Sequence, residues 1–357
     1  MPSSPAAATA PSVDAAGVTF SLPDATGRFA GVRLEQELGL PAGLDFTRRA
    51  GQWRLRLPRP PVDRMEYLFE IADHRGKRAT ITDPGNPLRA GGAYGDKSVV
   101  QFPGYREPEW LAMPDVPDSI HPLAIKTQAR RTTMTGLLWS PADLAADKPA
   151  PLLVVHDGPE YASLAGLTHY LGALIAAGTM PALRAALLAP GDRNSFYSAN
   201  RGYAKALCKE VIPVLDELAP TTLRIGVGAS LGALSMLHAH RCFPETFSGL
   251  VLQSGSFFKP ELDPQESGFS GFTPITTFVG EMHQATSDSN PVPTVITCGV
   301  PEENLANNRQ MATTLRRLGY PVDFREAPDA HNYTAWRDAL HPAATNLLTS
   351  VVGAHAA

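Results

Sequence analysis

From Ala150 onward the sequence alternates two textures, and that alternation constrains the fold more than any other feature. The short unbroken apolar run at 152–155 reads as a fully buried strand, and 185–189, 223–227, 249–253, 294–298 and 322–326 read as further strands. Residues 167–177, 203–218, 231–240 and 307–318 carry apolar residues at helical spacing. Such a chain is expected to form a doubly wound, mainly parallel sheet covered by helices. The first hundred residues have a different period. Trp53, Leu55 and Leu57 alternate with Arg54 and Arg56; Tyr67, Phe69 and Ile71 alternate less cleanly with Leu68, Glu70 and Ala72. Period two between Pro- and Gly-bounded turns predicts half-buried strands in an all-β, immunoglobulin-like sandwich. The Pro-rich stretch 103–122, with Trp110 inside it, reads as a linker that packs down on its surroundings. The expected organisation is a disordered tail at 1–14, a β-sandwich domain at 15–115 and an α/β catalytic domain at 116–357.

Length and composition narrow the function classes. With 357 residues, 43% of them hydrophobic, there is enough apolar chain for two cores without staples. Thirty-one basic and 35 acidic residues leave a net charge of -4, which gives no footprint for nucleic acid or an anionic membrane. No apolar run reaches bilayer length. The Ala-, Pro- and Ser-rich start of the chain lacks the basic and apolar regions of a signal peptide. Cys208, Cys242 and Cys298 are odd in number and widely spaced, with neither a CxxC pair nor a metal-ligand pattern. They read as reduced thiols of a cytoplasmic protein.

The sharpest motif is Gly228-Ala229-Ser230-Leu231-Gly232. It fits G-x-S-x-G, the nucleophile elbow of α/β-hydrolases, in which a serine sits on a strained strand-to-helix turn. A strand candidate precedes it and a helix candidate follows. A serine nucleophile needs a base, and in this fold the base follows the last strand, with the acid ahead of it in chain order. His331 stands just after the run at 322–326. His238 and His240 lie too far along the helix after Ser230, and His121 precedes the sheet. His156, ending the first central strand, remains a competitor. The acid is expected after the penultimate strand, where Glu302 and Glu303 stand; Asp329 is a third candidate, close to His331 in sequence. An oxyanion hole needs two backbone N–H groups. One is expected from Leu231 and the other from Asp157 or Gly158. Arg193 follows the run at 185–189 on a loop at the carboxyl ends of the strands, where ligands bind. Its guanidinium is a candidate substrate contact. The alternative is a structural ion pair with Asp192 or Glu210.

These residues resemble the enterochelin (enterobactin) esterase family over most of the chain. The resemblance rests on His156-Asp157-Gly158, on Asp192-Arg193-Asn194 with Tyr197, Ser198 and Asn200, and on Glu210-Val211-Ile212-Pro213. It continues through the Ser230 motif, Phe243-Pro244-Glu245-Thr246-Phe247 and Gln253-Ser254-Gly255-Ser256-Phe257. Gly299 to Glu302 matches a Gly-x-x-Glu, and Asp329-Ala330-His331-Asn332 leads on to Trp336-Arg337. In the amino-terminal half, Gly51-Gln52-Trp53, Tyr67-Leu68-Phe69, the stretch from Thr82 to Pro87 and Pro103-Gly104-Tyr105 resemble the family's sandwich domain. Two positions depart: a Glu often found in the Arg193 loop is Ser195 or Phe196 here, and the Asp after the histidine is Asn332.

The resemblance implies a serine esterase with Ser230, His331 and Glu302 as its triad, Glu302 being preferred over Glu303. It implies that Arg193, Tyr197 and Trp336 contact substrate, and that the substrate is a small-molecule ester, the trilactone of a catecholate siderophore. Iron would enter with that substrate; the chemistry itself calls for no cofactor and no resident metal. A homodimer is compatible with this reading. The alternatives are an esterase or acyltransferase acting on carbohydrate or lipid esters, and a glycan-binding protein with a vestigial hydrolase domain.

Overall fold

The computed structural model describes residues 9–40 and 43–356. It divides into two compact units. One is Met1–Arg106 with Gly299–Glu302 and Ala327–Ala335; the other is Glu107–Cys298, Glu303–Glu326 and Trp336–Ala357. The first of these units ends its leading segment at Arg106, and two short segments from late in the chain join it.

In the first unit, β1 (Ser12–Asp14), β2 (Gly17–Pro23), β3 (Phe29–Gln36), β4 (Thr47–Arg49) and β5 (Gln52–Pro58) are followed by β6 (Arg64–Asp73), β7 (Arg78–Ile81), β8 (Arg89–Ala90) and β9 (Lys97–Gln101). They form two antiparallel sheets, β1-β2-β5-β4 and β3-β6-β9-β8, with β7 beside β6. The period-two pattern has its physical cause here: Trp53, Leu55 and Leu57 point inward from β5 while Arg54 and Arg56 stay exposed. Phe20 of one sheet meets Tyr67 of the other at 4.8 Å between ring centroids, and Leu34, Phe69 and Val100 complete the core. Each such buried side chain contributes about 1.5–3 kcal/mol through apolar surface removed from water. Ala330, from the late segment, is buried in the same core. Ser12–Asp14, expected within the tail, pairs with β2. Residues 1–8 of that expected tail lie outside the described residues.

The second unit is built on an eight-stranded sheet. Its strands are β10 (Asp118–Thr127), β11 (Thr132–Pro141), β12 (Ala150–His156), β13 (Arg184–Leu188), β14 (Thr221–Ala229), β15 (Gly249–Gln253), β16 (Thr294–Gly299) and β17 (Val322–Ala327), in the order β10-β11-β13-β12-β14-β15-β16-β17. Strands β13, β12, β14, β15 and β16 pair parallel to one another in that order, whereas β11 pairs antiparallel with both β10 and β13. All seven residues of β12 and all five of β15 are buried, which explains why each is apolar up to its last residue. The helices are α1 (Gly158–Leu164), α2 (Leu167–Ala176), α3 (Arg193–Tyr197), α4 (Arg201–Ala206), α5 (Ile212–Leu218), α6 (Leu231–Cys242), α7 (Phe272–Gln284), α8 (Leu305–Arg317), α9 (Tyr333–Asp338) and α10 (Ala343–Ala356).

Two expectations need correction. Residues 118–122 are not linker but the start of β10, so His121 lies within the sheet. Strand β10 is at the sheet edge, where Pro122 removes no ladder bond the sheet needs. Residues 203–218 are not one regular helix: a π turn at Leu207–Val211 separates α4 from α5. Pro213 cannot donate to the helical ladder, and the wider turn absorbs that gap. Trp110 packs down as expected, buried against Tyr170 of α2 at 5.3 Å between centroids.

Candidate active site

Strand β14 ends at Ala229 and α6 begins at Leu231, leaving Ser230 alone in the turn with φ 55° and ψ -126°. This region of backbone space is costly for a residue with a Cβ and persists only where its surroundings enforce it. The flanking glycines supply the enforcement. A Cβ on Gly228 would lie 2.5 Å from the carbonyl of Gly232, and one on Gly232 would crowd His156 and Asp157. The Ser230 amide donates to the Gln253 carbonyl at 2.9 Å, and its hydroxyl shares a 3.2 Å hydrogen bond with Ser256.

Leu231 and Gly158 each open a helix, α6 and α1. First-turn N–H groups have no acceptor within their own helix and are suited to receive a negative oxygen. Asp157 precedes Gly158 in the left-handed region, φ 51°. A Cβ on Gly158 would stand 2.2 Å from the Leu187 Cα, so only glycine fits between β12 and β13 at this point. Arg193 holds the segment from the side: its Nε donates to the two Asp157 carboxylate oxygens at 3.0 and 3.1 Å, and its Nη2 donates at 2.9 Å. The ion pair of Arg193 is thus with Asp157. Asp192 instead accepts from the Ser195 amide, and Glu210 accepts from the Gln128 and Ala129 amides in the β10–β11 turn.

His156 lies beneath this segment with no exposed surface. Its Nδ1 donates to the Gly232 carbonyl at 3.0 Å and its Nε2 accepts from the Tyr203 hydroxyl at 2.9 Å. Burial drives its pKa down to about 4, so the ring is neutral and both nitrogens are engaged. That arrangement suits a support, not a base. Tyr197, expected against substrate, has a wholly buried side chain that stacks on His156 at 4.4 Å between centroids. Trp336 is likewise a buried support, donating its indole N–H to the Ser254 hydroxyl at 3.0 Å.

In the first unit, Glu302 and His331 are brought together from loops 29 residues apart. His331 Nδ1 donates to Glu302 Oε2 at 2.8 Å, while the other carboxylate oxygen accepts from the Gly299 amide at 2.7 Å. The Glu302 side chain is 2% exposed and that of His331 33%, so the acid is shielded and the imidazole reaches the surface of its unit. The contact between them commits Nδ1 to the carboxylate and fixes the orientation of the ring. Glu303 faces elsewhere, accepting from Gln265 at 3.1 Å. Asp329 turns to its own loop, accepting from the Ala330 amide, and to Arg64.

Sequence reasoning assigned no role to the support behind Ser230. The Gln253 amide side chain accepts from the Tyr161 hydroxyl at 2.8 Å and donates to Thr297 and to the Trp336 carbonyl. Asn308 bonds both the N–H and the C=O of Gly255, at 3.0 and 2.9 Å. The one available signal was the polar run Gln253-Ser254-Gly255-Ser256 at the end of an apolar strand. Among the described residues, no group of three or more His, Cys, Asp or Glu side chains is placed to hold a metal ion, and no helix is long and apolar enough to cross a membrane.

A parallel sheet, a strained serine between strand and helix, and two helix-leading amides beside it define an α/β-hydrolase, here preceded by a β-sandwich. Residues 127–347 match the sequence profile of the putative esterase family, and the chain belongs to that family. The Iron(III) enterobactin esterase of Dickeya dadantii is 27% identical over 219 residues, 57% of this chain and 49% of the relative. The Iron(III) enterobactin esterase of Escherichia coli O6:H1 is 23% identical over 271 residues, 73% of this chain and 65% of the relative. The chain thus spans about half to two thirds of the length of these curated relatives. Among solved structures, the ferric enterobactin esterase of Salmonella typhimurium has the same fold, with a TM-score of 0.76, 19% identity and 94% of each chain covered.

Proposed function

We propose that this protein is a serine esterase of the enterobactin-esterase type, cleaving the ester bonds of a catecholate siderophore trilactone. The observation that carries the reading is the conformation of Ser230, held at φ 55° between β14 and α6 where a plain helix start needs no strain. In this mechanism Ser230 attacks the ester carbonyl, and His331 Nε2 takes its proton and returns it to the leaving alcohol. Glu302 holds the tautomer and stabilises the imidazolium that forms. The amides of Leu231 and of Gly158 or Asp157 receive the oxyanion. Water then attacks the acyl-enzyme with His331 as base, regenerating Ser230 and releasing the acid. The names and coverage of the relatives support the substrate class.

The test is a fluorophosphonate label followed by a substrate panel. Wild type takes up the label at Ser230, and Ser230→Ala neither labels nor turns over, with a loss on the order of 10⁴ or more in kcat. Ferric enterobactin is cleaved in preference to feruloyl and nitrophenyl esters. Labelling with a preference for feruloyl esters keeps the mechanism and rejects the siderophore. Absence of labelling in folded protein rejects the esterase.

A further inference from the structure

The loop that carries His331 is fastened by the amino-terminal β-sandwich, and its central tie is a buried arginine. Arg64, the first residue of β6, is 3% exposed. Its Nη2 donates to Glu66 at 2.6 Å; its Nη1 reaches Asp329 and Asn332, each at 3.3 Å. These two acceptors bracket His331 in sequence. Asn332 in turn accepts from the Ala335 amide at 2.9 Å in the first turn of α9 and donates to Asp329 at 3.2 Å. Asp329 closes the loop by accepting from the Ala330 amide at 2.7 Å. The backbone is stitched at the same place, since the Asp63 amide donates to the Pro328 carbonyl at 2.8 Å. Ala330 itself lies in the sandwich core with Met65 and Val62.

We infer that Arg64 is a positioning residue for the reaction: through Asp329 and Asn332 it fixes the loop that aims the His331 imidazole, so that the sandwich forms part of the catalytic apparatus. The inference rests on the reading of His331 as base. A guanidinium has the planar fork needed to bind Glu66 on one side and the two loop acceptors on the other. A shorter or uncharged side chain cannot span both. Removing it leaves Glu66 and Asp329 buried without their shared cation, and the loop loses its reason to close on β6. Asp329 is already strained in this sense. Burial raises its pKa to about 6 against the opposing pull of Arg64, so its charge depends on that neighbour.

The experiment uses the full chain and three variants, Arg64→Met, Arg64→Lys and His331→Ala. Turnover of 4-nitrophenyl acetate, fluorophosphonate labelling of Ser230 and hydrogen–deuterium exchange of residues 327–335 are measured well below each melting temperature. Arg64→Met is expected to lower kcat and the labelling rate together by about tenfold or more, with KM within about twofold, and to speed exchange in the loop. Arg64→Lys keeps the charge and recovers part of kcat; if Arg64→Met does not fold, this variant decides. His331→Ala is expected to be inactive. A folded Arg64 variant with wild-type kcat and unchanged loop exchange, beside an inactive His331→Ala, overturns the positioning role alone. An active His331→Ala overturns the catalytic reading itself, and the positioning role with it.

Discussion

Glu302 is held at both carboxylate oxygens, one by His331 and one by the Gly299 amide, and this fixity decides how its replacement behaves. Glu302→Gln keeps the shape but offers an amide where the imidazole needs an anion. A loss of at least about a hundredfold in kcat is expected, with KM little changed. Glu303→Gln should stay within about twofold, because its contact is with Gln265 on an exposed face. Steady-state kinetics on one nitrophenyl ester compares the two; equal losses contradict the assignment. Arg193 presents the opposite case. The sequence suggests a cation facing an anionic substrate, yet the guanidinium is spent on three bonds to Asp157. Arg193→Gln is therefore expected to lower kcat/KM about tenfold on neutral and anionic esters alike, by loosening the segment that carries Gly158. A loss confined to the anionic ester restores the charge-recognition role.

At the scale of elements, the central parallel strands were legible because burial on both faces leaves no polar positions to blur them. The run at 249–253 is β15 with no residue to spare, and the expected helix at 231–240 is α6 less its last two residues. What escaped were elements whose sequence argues against them. Proline at 117 and 122 hides β10, since an edge strand tolerates what a central strand cannot. Pro213 inside an amphipathic stretch gave no sign that the backbone would widen into a π turn. Of the site, the elbow was legible as a motif, but the links from Arg64 to Asp329 and Asn332 join residues more than 260 positions apart and leave no local pattern. Helix α6 also carries a pH dependence. His238, buried beside Phe278 and Cys242, has its pKa lowered from 6.5 to about 4, chiefly by burial and secondarily by Arg201. The unfolded chain binds the proton more readily, so the stabilisation is complete above pH 6.5 and is lost as pH falls toward 4. At pH 5 the cost is about 2 kcal/mol. Urea denaturation at pH 7 and pH 5 should show that difference shrinking by about this amount in His238→Leu; an unchanged difference places the acid sensitivity elsewhere.

For the whole molecule, the two compact units do not follow the order of the chain. Gly299–Glu302 and Ala327–Ala335 count with the sandwich, so the pair Glu302 and His331 shares a unit with Phe20 and Tyr67 rather than with Ser230. Deleting Met1–Arg106 is therefore expected to abolish turnover of nitrophenyl acetate as well as of a bulky siderophore, even where circular dichroism shows the helices retained. Full turnover of the small ester by the truncated chain would mean that the sandwich serves only to accept large substrates. The late insertion of Ala330 into the sandwich core has a bearing on design. Modular engineering treats an amino-terminal domain as a cassette, cut at the linker and exchanged for another. Here the natural breakpoint is not at residue 106. A functional chimera has to carry Val62 to Glu66 together with Pro328 to Asn332 as one transplanted block, and a library recombined only at the linker will sample mostly chains whose histidine loop has been given the wrong mate.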